Sequence, residues 1–493
     1  MVNASEHGED AYAAPVVSFA LEDVRSTCRS GTLTFSSRHD GTRTSHLDTP
    51  ALIPTASRGA VNHLTPDNFA RCGLASCHLA LEHFLDSQPP AFSRAPFALD
   101  HFLGLAPAQT GARLDYASDP TAGNRTQAAR RPQPRDKVIV SLALRPPLAR
   151  DQPRAEPPNS DNFAVALGSR GIVRYIDWTL PRPPDLLFAL ADEPLDPHPS
   201  KKRLEKSVRR SYTWLDQVAR RARDRTNVFA TLVGSDDLAR RSEFSLALVG
   251  VPSSRATAAA TTEDPTDTYL SGYVVPSLSV SRELLEASLA PLPQSKPRIA
   301  LAPRGPHAIL RAIRDVGIDV FVEEWSQSCA TYGIALDFDF PVPPTRDAGQ
   351  PGPTPSLDVG INLFETRHAL DFSALSTSTL APEGRDDDHP FGPAVPTRSY
   401  VHHLLLAHEM TAHVILSIHN QLVMQAFMSS IRRVLVTDGP RAFEQQVERF
   451  EEAYRDRTES QEEYECVERA KVAWTEVDLA RGKGSMKDKV IEA

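Results

Sequence analysis

The chain has 493 residues, 41% hydrophobic and 24% charged, with a formal net charge of −9. That length permits a sizeable core and about three domains, or one α/β barrel enlarged by insertions. The mild negative charge argues against a protein wrapped mainly in nucleic acid, while leaving room for a local basic patch. Five cysteines, at 28, 72, 77, 329 and 466, form no C-x-x-C pair, the sparse usage of a reducing compartment. The opening MVNASEHGEDAYAAP lacks the basic start and apolar centre of a secretory signal. No run of 18 or more apolar residues marks a transmembrane segment, so a soluble cytoplasmic protein is expected.

Short apolar runs bounded by turn residues recur along the chain. Ala51–Ile53, Ala75–Leu81, Val138–Leu144, Leu186–Ala191, Val228–Val233, Gly272–Val275, Arg298–Ala302 and Ile318–Val322 each suit a buried strand. Helical patterns separate many of them, at Pro66–Cys72, Lys201–Ala222, Ser281–Leu289 and Pro306–Val316. The first opens on Leu64-Thr65-Pro66-Asp67, a Thr cap followed by Pro at the first helical position. Strands alternating with helices predict β/α units, and about eight strands favour a (β/α)8 TIM-type barrel over an open sheet. No G-x-G-x-x-G or G-x-x-x-x-G-K-[ST] follows any strand, which leaves dinucleotide and P-loop folds without support.

Polar, proline-rich stretches interrupt this pattern. Residues 106–136, 145–161, 252–268 and 341–357 are poor in large apolar side chains and read as disordered insertions. The expected organisation is a barrel over 1–340 with insertions near 106–161 and 252–268, a Pro/Asp-rich linker over 341–397, and a helical lobe over 398–493 that completes the barrel and a dimer interface. In that lobe Phe443, Val447, Phe450 and Tyr454 form a narrow apolar stripe, which either docks on the barrel or meets a partner helix. After about residue 480 the tail is expected to fray.

Arg398–Asn420 reads as one long helix with histidines at 402, 403, 408, 413 and 419. Ala412, Ile415, His419, Leu422 and Ala426 share a face, so His419 is either a satisfied core residue or a metal ligand. His408–His413 imitates the zinc-peptidase motif but is one residue too long. A spacing of five turns the second imidazole about 140° from the first, which excludes that reading. The densest basic cluster is Lys201, Lys202, Arg203, Lys206, Arg209 and Arg210. On a helix, Lys202, Lys206, Arg209 and Arg210 fall roughly on one side, either a solvated face or a phosphate-contacting patch.

The block R-x-Y-x-x-H-L-L (Arg398–Leu405), followed by Glu409-Met410 and His419-Asn420, resembles the C-terminal signature of the queuine tRNA-ribosyltransferase family. Further fragments follow the family's order: Thr49–Phe69, Pro183–Pro194, Lys201–Leu215, Gly272–Glu283 and Lys296–Phe321. Among them, Asp185–Asp192 reads D-x-x-x-x-L-A-D and Lys206–Leu215 reads K-S-x-x-R-[ST]-x-x-W-L. The resemblance runs through most of the chain outside the insertions. It implies a TIM barrel and a reaction that exchanges guanine for queuine at the wobble position of tRNAs with GUN anticodons. It also implies a eukaryotic heterodimer of catalytic and accessory subunits, and one zinc ion per subunit. The family's zinc ligands are a C-x-C-x-x-C segment just ahead of Arg398 and a histidine matching His419. Here residues 386–397 read DDDHPFGPAVPT without cysteine, leaving Asp386, Asp387, Asp388 and His389 as the only substitutes at hand.

The chain departs from the family where the chemistry should lie. Base exchange needs a carboxylate nucleophile to capture the ribose C1′ and a second carboxylate for proton transfer. The family's nucleophile ends a G-[IV]-D-x-F-D motif, and here Gly317–Val322 ends in Val322. Where a T-D-S-G-G-F-Q loop should carry the second carboxylate, FALDHFLGLAPAQTG offers only Asp100, read as an ordinary surface residue. The base-contacting G-G-L-S-V-G-E becomes Val275–Ser281 without a glycine, and Pro276 removes a backbone donor.

The resemblance therefore implies a non-catalytic accessory subunit whose partners are the catalytic subunit and tRNA. An active transglycosylase using Asp319 or Glu323, or a stand-alone RNA-binding scaffold, are the other readings. Lys201, Lys202, Lys206, Arg209 and Arg210 are the candidate tRNA contacts; Arg398, Tyr400, His402 and His403 are the candidate interface residues. Family likeness also implies peripheral association with the mitochondrial outer membrane.

Overall fold

Eight short apolar runs lie side by side as parallel strands and close into a ring. The computed structural model describes residues 16–22, 27–36, 44–84, 89–95, 98–105, 138–144, 168–194, 199–222, 224–250, 269–343, 357–381, 391 and 395–456. The stretches 106–136, 145–161 and 252–268, residues 386–389 and the tail after 456 lie outside them. An antiparallel sheet of β1 (Val16–Leu21), β2 (Gly31–Ser36) and β3 (Thr44–Thr49) precedes the barrel. The barrel runs through β4 (Ala51–Ser57), β6 (Ser76–Ala80), β7 (Ile139–Ala143), β8 (Leu186–Phe188), β9 (Asn227–Thr231), β10 (Gly272–Val275), β11 (Arg298–Leu301) and β12 (Val320–Glu323). The short β5 (Ala60–Val61) folds back on β4. Pairing of Val320–Glu323 with Ala51–Pro54 closes the ring. All eight expected strands are barrel strands, and the fold is the α/β barrel with a C-terminal helical region.

Strand alternation divides the core in two. Ala51, Ile53, Ile139, Leu186, Phe188, Phe229, Val274, Ile299, Val320 and Val322 fill the lumen, while Leu79, Val140, Leu187, Val228, Tyr273 and Phe321 pack outward. Gly272 is required beside the Phe229 ring, because a Cβ there would lie 2.4 Å from it. Leu33 and Phe35 join the lumen cluster, so the N-terminal sheet plugs one end of the barrel. That sheet was not anticipated, although β1 and β2 both alternate in burial.

The surrounding helices are α1 (Pro66–Arg71), α2 (Leu99–Phe102), α3 (Gly168–Thr179), α4 (Lys201–Ala222), α5 (Leu238–Leu248), α6 (Arg282–Leu289), α7 (Pro306–Val316) and α8 (Trp325–Thr331). Thr65 caps α1 as expected, its hydroxyl accepting from the Asn68 amide at 3.3 Å. The stretch expected as a linker contributes structure: β13 (Ile334–Leu336) pairs antiparallel with β14 (Gly360–Asn362).

The C-terminal lobe comprises α9 (Arg398–Leu406), α10 (Met410–Thr437) and α11 (Pro440–Ala453). The single long helix expected over 398–420 is thus two. His408 takes a left-handed backbone (φ 57°), and the amides of His408 and Glu409 turn back to Leu405 and Leu404 to close α9. By length and composition α10 could cross a membrane, yet 72% of its apolar window is buried inside the protein. It is a core helix. The Phe443, Val447, Phe450 and Tyr454 stripe docks on the barrel rather than meeting a partner helix. Phe450 lies 5.9 Å from Phe338, 6.2 Å from Phe340 and 4.9 Å from His307. Rim ion pairs, such as Arg314–Glu451 at 3.3 Å, surround this cluster. Phe450→Ala should therefore lower unfolding stability by about 3–5 kcal/mol in a urea titration, and Glu451→Ala by less than about 1 kcal/mol. Equal losses would contradict the apolar docking.

Candidate functional site

Chemistry in such barrels gathers at the C-terminal ends of the strands. At the end of β12, Val322 points into the lumen beside Val320 and presents only alkyl surface. Glu323 points outward. Its carboxylate accepts from the amide and hydroxyl of Ser326 at the start of α8, the latter at 2.9 Å. Burial pushes Glu323 up to about 7. Asp319 precedes β12, at the plugged end of the barrel. It meets Arg29 at 3.1 Å and accepts from the Arg298 amide at 2.7 Å, while burial, the dominant influence, pushes it up to about 6. Neither displaced carboxylate reaches the lumen mouth. Both are held by the protein's own groups, Glu323 by Ser326 and Asp319 by Arg29 and Arg298.

The loop after β8 carries a group the sequence reading passed over. Asp192 is fully buried, gripped by Arg203 at 2.7 and 3.0 Å and by Arg210 at 2.6 Å. Its amide donates to Ser211 Oγ, and its carbonyl accepts from Ser207 Oγ. The D-x-x-x-x-L-A-D and K-S-x-x-R-[ST] spacings therefore encode a strap between the barrel mouth and α4. Arg210, a candidate tRNA contact, binds Asp192 here together with Arg203, its side chain still 36% exposed. Lys201, Lys202, Lys206 and Arg209 remain on the exposed face of α4.

Two further mouth residues differ from expectation or escaped it. Asp100 lies on α2 and is buried, not a surface residue, because α2 tucks against β7; burial first, then Asp185 and Asp100, raises the Cys77 thiol. His78 points into the lumen, 2.9 Å from Ser141 Oγ and stacked on Phe188 at 5.4 Å. Its signal was a histidine inside the mostly apolar run Ala75–Leu81. Pro276 is buried at the end of β10, and in its loop the Ser277 hydroxyl accepts from the Ser279 amide.

In the lobe, His419 is buried on α10 and its Nε2 lies 2.9 Å from the Leu336 carbonyl. Burial lowers its basicity, so the neutral ring donates that hydrogen bond. Among the described residues no group of three His, Cys, Asp or Glu side chains could hold a metal. The described residues by themselves do not make the closed four-ligand zinc site that the sequence likeness implied, and residues 386–389 lie outside them. Arg398 and His402 are likewise engaged internally. Arg398 binds Asp371 at 3.4 Å and the Leu375 carbonyl, and His402 lies 2.7 Å from the Leu363 carbonyl. Tyr400 and His403 face outward.

A barrel of this topology, with an α10 lobe bearing His419-Asn420, can be set beside known proteins. The family model described as Queuine tRNA-ribosyltransferase matches residues 174–456, more than half of the chain. The chain belongs to the queuine tRNA-ribosyltransferase family. Within that family it is similar to proteins named queuine tRNA-ribosyltransferase accessory subunit 2. The one from Schizosaccharomyces pombe is 27% identical over 426 residues, covering 83% of this chain and 79% of that protein. Those from Ixodes scapularis and Danio rerio are 28% and 26% identical over 259 and 295 residues. These two alignments cover 52% and 54% of this chain and 62% and 65% of the relatives.

The placement of Glu323 generates a pH dependence. Its folded pKa lies above that of an unfolded glutamate, so the native state keeps a proton that the unfolded chain releases. The stability contributed by this group is greatest below the unfolded value near 4.5 and declines as pH rises toward about 7. Glu323→Gln keeps an acceptor for Ser326 without that slope. Denaturation from pH 5 to 7.5 should show the variant gaining on the parent as pH rises; a constant difference would contradict the assignment.

Proposed function

We propose that this chain is the non-catalytic accessory subunit of a heterodimeric queuine tRNA-ribosyltransferase. The complex would exchange guanine for queuine at the wobble position of tRNAs with GUN anticodons. The observation that carries this reading is Val322, an alkyl side chain facing the lumen where the family's motif carries its nucleophile. The names borne by the relatives support the accessory role. With no ester-forming atom at that position, the barrel contributes binding surface and the partner contributes chemistry.

Two surfaces support such a division of labour. Lys201, Lys202, Lys206 and Arg209 line the solvent side of α4, suited to tRNA phosphates. Leu370, Phe372 and Tyr400 are 81%, 73% and 49% exposed around the start of α9, unusual for large apolar side chains and suited to the catalytic subunit. An apolar groove of about 490 Å³ lies beside them, lined by Phe391, Val395, Tyr400, Val414 and Ile418 among others. Residence in the cytoplasm, with peripheral contact to the mitochondrial outer membrane, belongs to the same reading by likeness to the family.

The test is guanine-to-queuine exchange on a cognate tRNA by this chain, by the catalytic subunit and by the two together. Activity confined to the mixture, with a co-eluting heterodimer, is expected. Turnover by this chain alone would favour the active transglycosylase. Tight tRNA binding with no partner association would favour the stand-alone scaffold. Charge reversal at Lys202 and Lys206 should weaken tRNA binding by the complex and flatten its salt dependence by roughly 0.7–0.9 for each phosphate no longer neutralised. An unchanged slope in a salt titration would remove α4 from the tRNA path.

A further inference from the structure

Three segments distant in sequence meet beside His419, and the way they meet bears on how this lobe stays closed. His419 and Asn420 on α10 grip strand β13. The His419 Nε2 is 2.9 Å from the Leu336 carbonyl, and the Asn420 carboxamide oxygen accepts from the Leu336 amide at 3.0 Å. The Asn420 nitrogen donates to the carbonyls of Ile334 and Ser326, each at 3.0 Å. The chain leaving β13 then presents Asp337 and Asp339 to the loop Ser376–Thr379, which lies ahead of Arg398.

That loop delivers its donors to the two carboxylates. Asp337 Oδ1 accepts from Ser376 Oγ at 2.7 Å, the Thr377 amide at 2.9 Å and the Ser378 amide at 3.0 Å. Asp339 Oδ1 accepts from the Thr379 amide at 2.6 Å, Thr379 Oγ at 2.9 Å and Ser378 Oγ at 3.1 Å. Ser378 Oγ also faces the Phe338 carbonyl, and Asp339 is buried. Hydrogen bonds to an ionised carboxylate are roughly twice as strong as neutral ones, and burial protects them from competing water. The Arg398 amide then ties the start of α9 to the Ser373 carbonyl at 3.0 Å.

We propose that this clasp of Asp337 and Asp339 on Ser376–Thr379 does the fastening that a structural zinc ion would do. A zinc site of the kind the sequence likeness implied would join the segment ahead of Arg398 to His419. Here the loop Ser376–Thr379, upstream of that segment, is joined to His419 through β13, by hydrogen bonds that need no ion. The Asp337 and Asp339 carboxylates are taken up by amide and hydroxyl donors, and His419 Nε2 is directed at a carbonyl. This inference does not depend on the proposed accessory role.

The test uses the full chain. Zinc content is measured by mass spectrometry, thermal midpoints with and without EDTA, and local opening by hydrogen exchange. The clasp predicts substoichiometric zinc and a midpoint unmoved by EDTA. Asp339→Asn keeps the shape and removes the charge; its midpoint should fall by roughly 3 °C or more, with faster exchange in both 375–380 and 334–336. Should that variant fail to fold, Thr379→Ala removes one donor and should give the same exchange pattern at lower amplitude. One tightly held zinc per chain, whose removal loosens both segments, would overturn the proposal. So would exchange at 334–336 that neither variant alters.

Discussion

Closure of the ring between β12 and β4 is the constraint on which the rest of the structure depends. The parallel register from Val320 opposite Ala51 to Glu323 opposite Pro54 fixes which side of β12 faces the lumen. A shift of one residue would turn Val322 outward and bring Glu323 in. With the observed register, the lumen receives an alkyl group, and Glu323 accepts from Ser326 in the first turn of α8. Closure also sets Asp319 at the opposite end, where Arg29 ties the N-terminal plug to the barrel.

A network of buried charges holds the barrel together around its lumen. Asp192 with Arg203 and Arg210, Glu323 with Ser326, and Asp319 with Arg29 are all buried polar groups with partners. Removing one partner would strand a charge, so such groups persist by their structural cost alone. A lumen position such as 322 carries no such penalty. In this chain it holds an alkyl group that packs with Val320 in the lumen.

Much of this was legible in the sequence, and what escaped has a physical reason. The eight barrel strands announced themselves because both of their faces are buried, giving continuous apolar runs such as Ile299–Leu301. The plug strands β1–β3 went unseen because one face of β2 is only half-buried, one face of β1 is exposed, and the polar residues of all three mimic a loop. The break at His408 was hidden because nothing local forbids a helix there; the turn is set by the two helices it joins. Tertiary context also decided the site residues. Sequence put Arg210 among the tRNA contacts and passed over its bond to a buried Asp192 eighteen positions earlier. Sequence left His419 between core and metal, and the Leu336 carbonyl provides its partner. Val322, by contrast, could be read directly, because the Gly317–Val322 motif fixes both its position and its chemistry.

The central claim is that this barrel supports base exchange without forming the covalent bond to tRNA. The most direct measurement is to trap the tRNA adduct during turnover by the complex and separate the chains on a denaturing gel. The account predicts that the adduct migrates with the catalytic subunit and that none forms on this chain. A covalent tRNA adduct on this chain would contradict it.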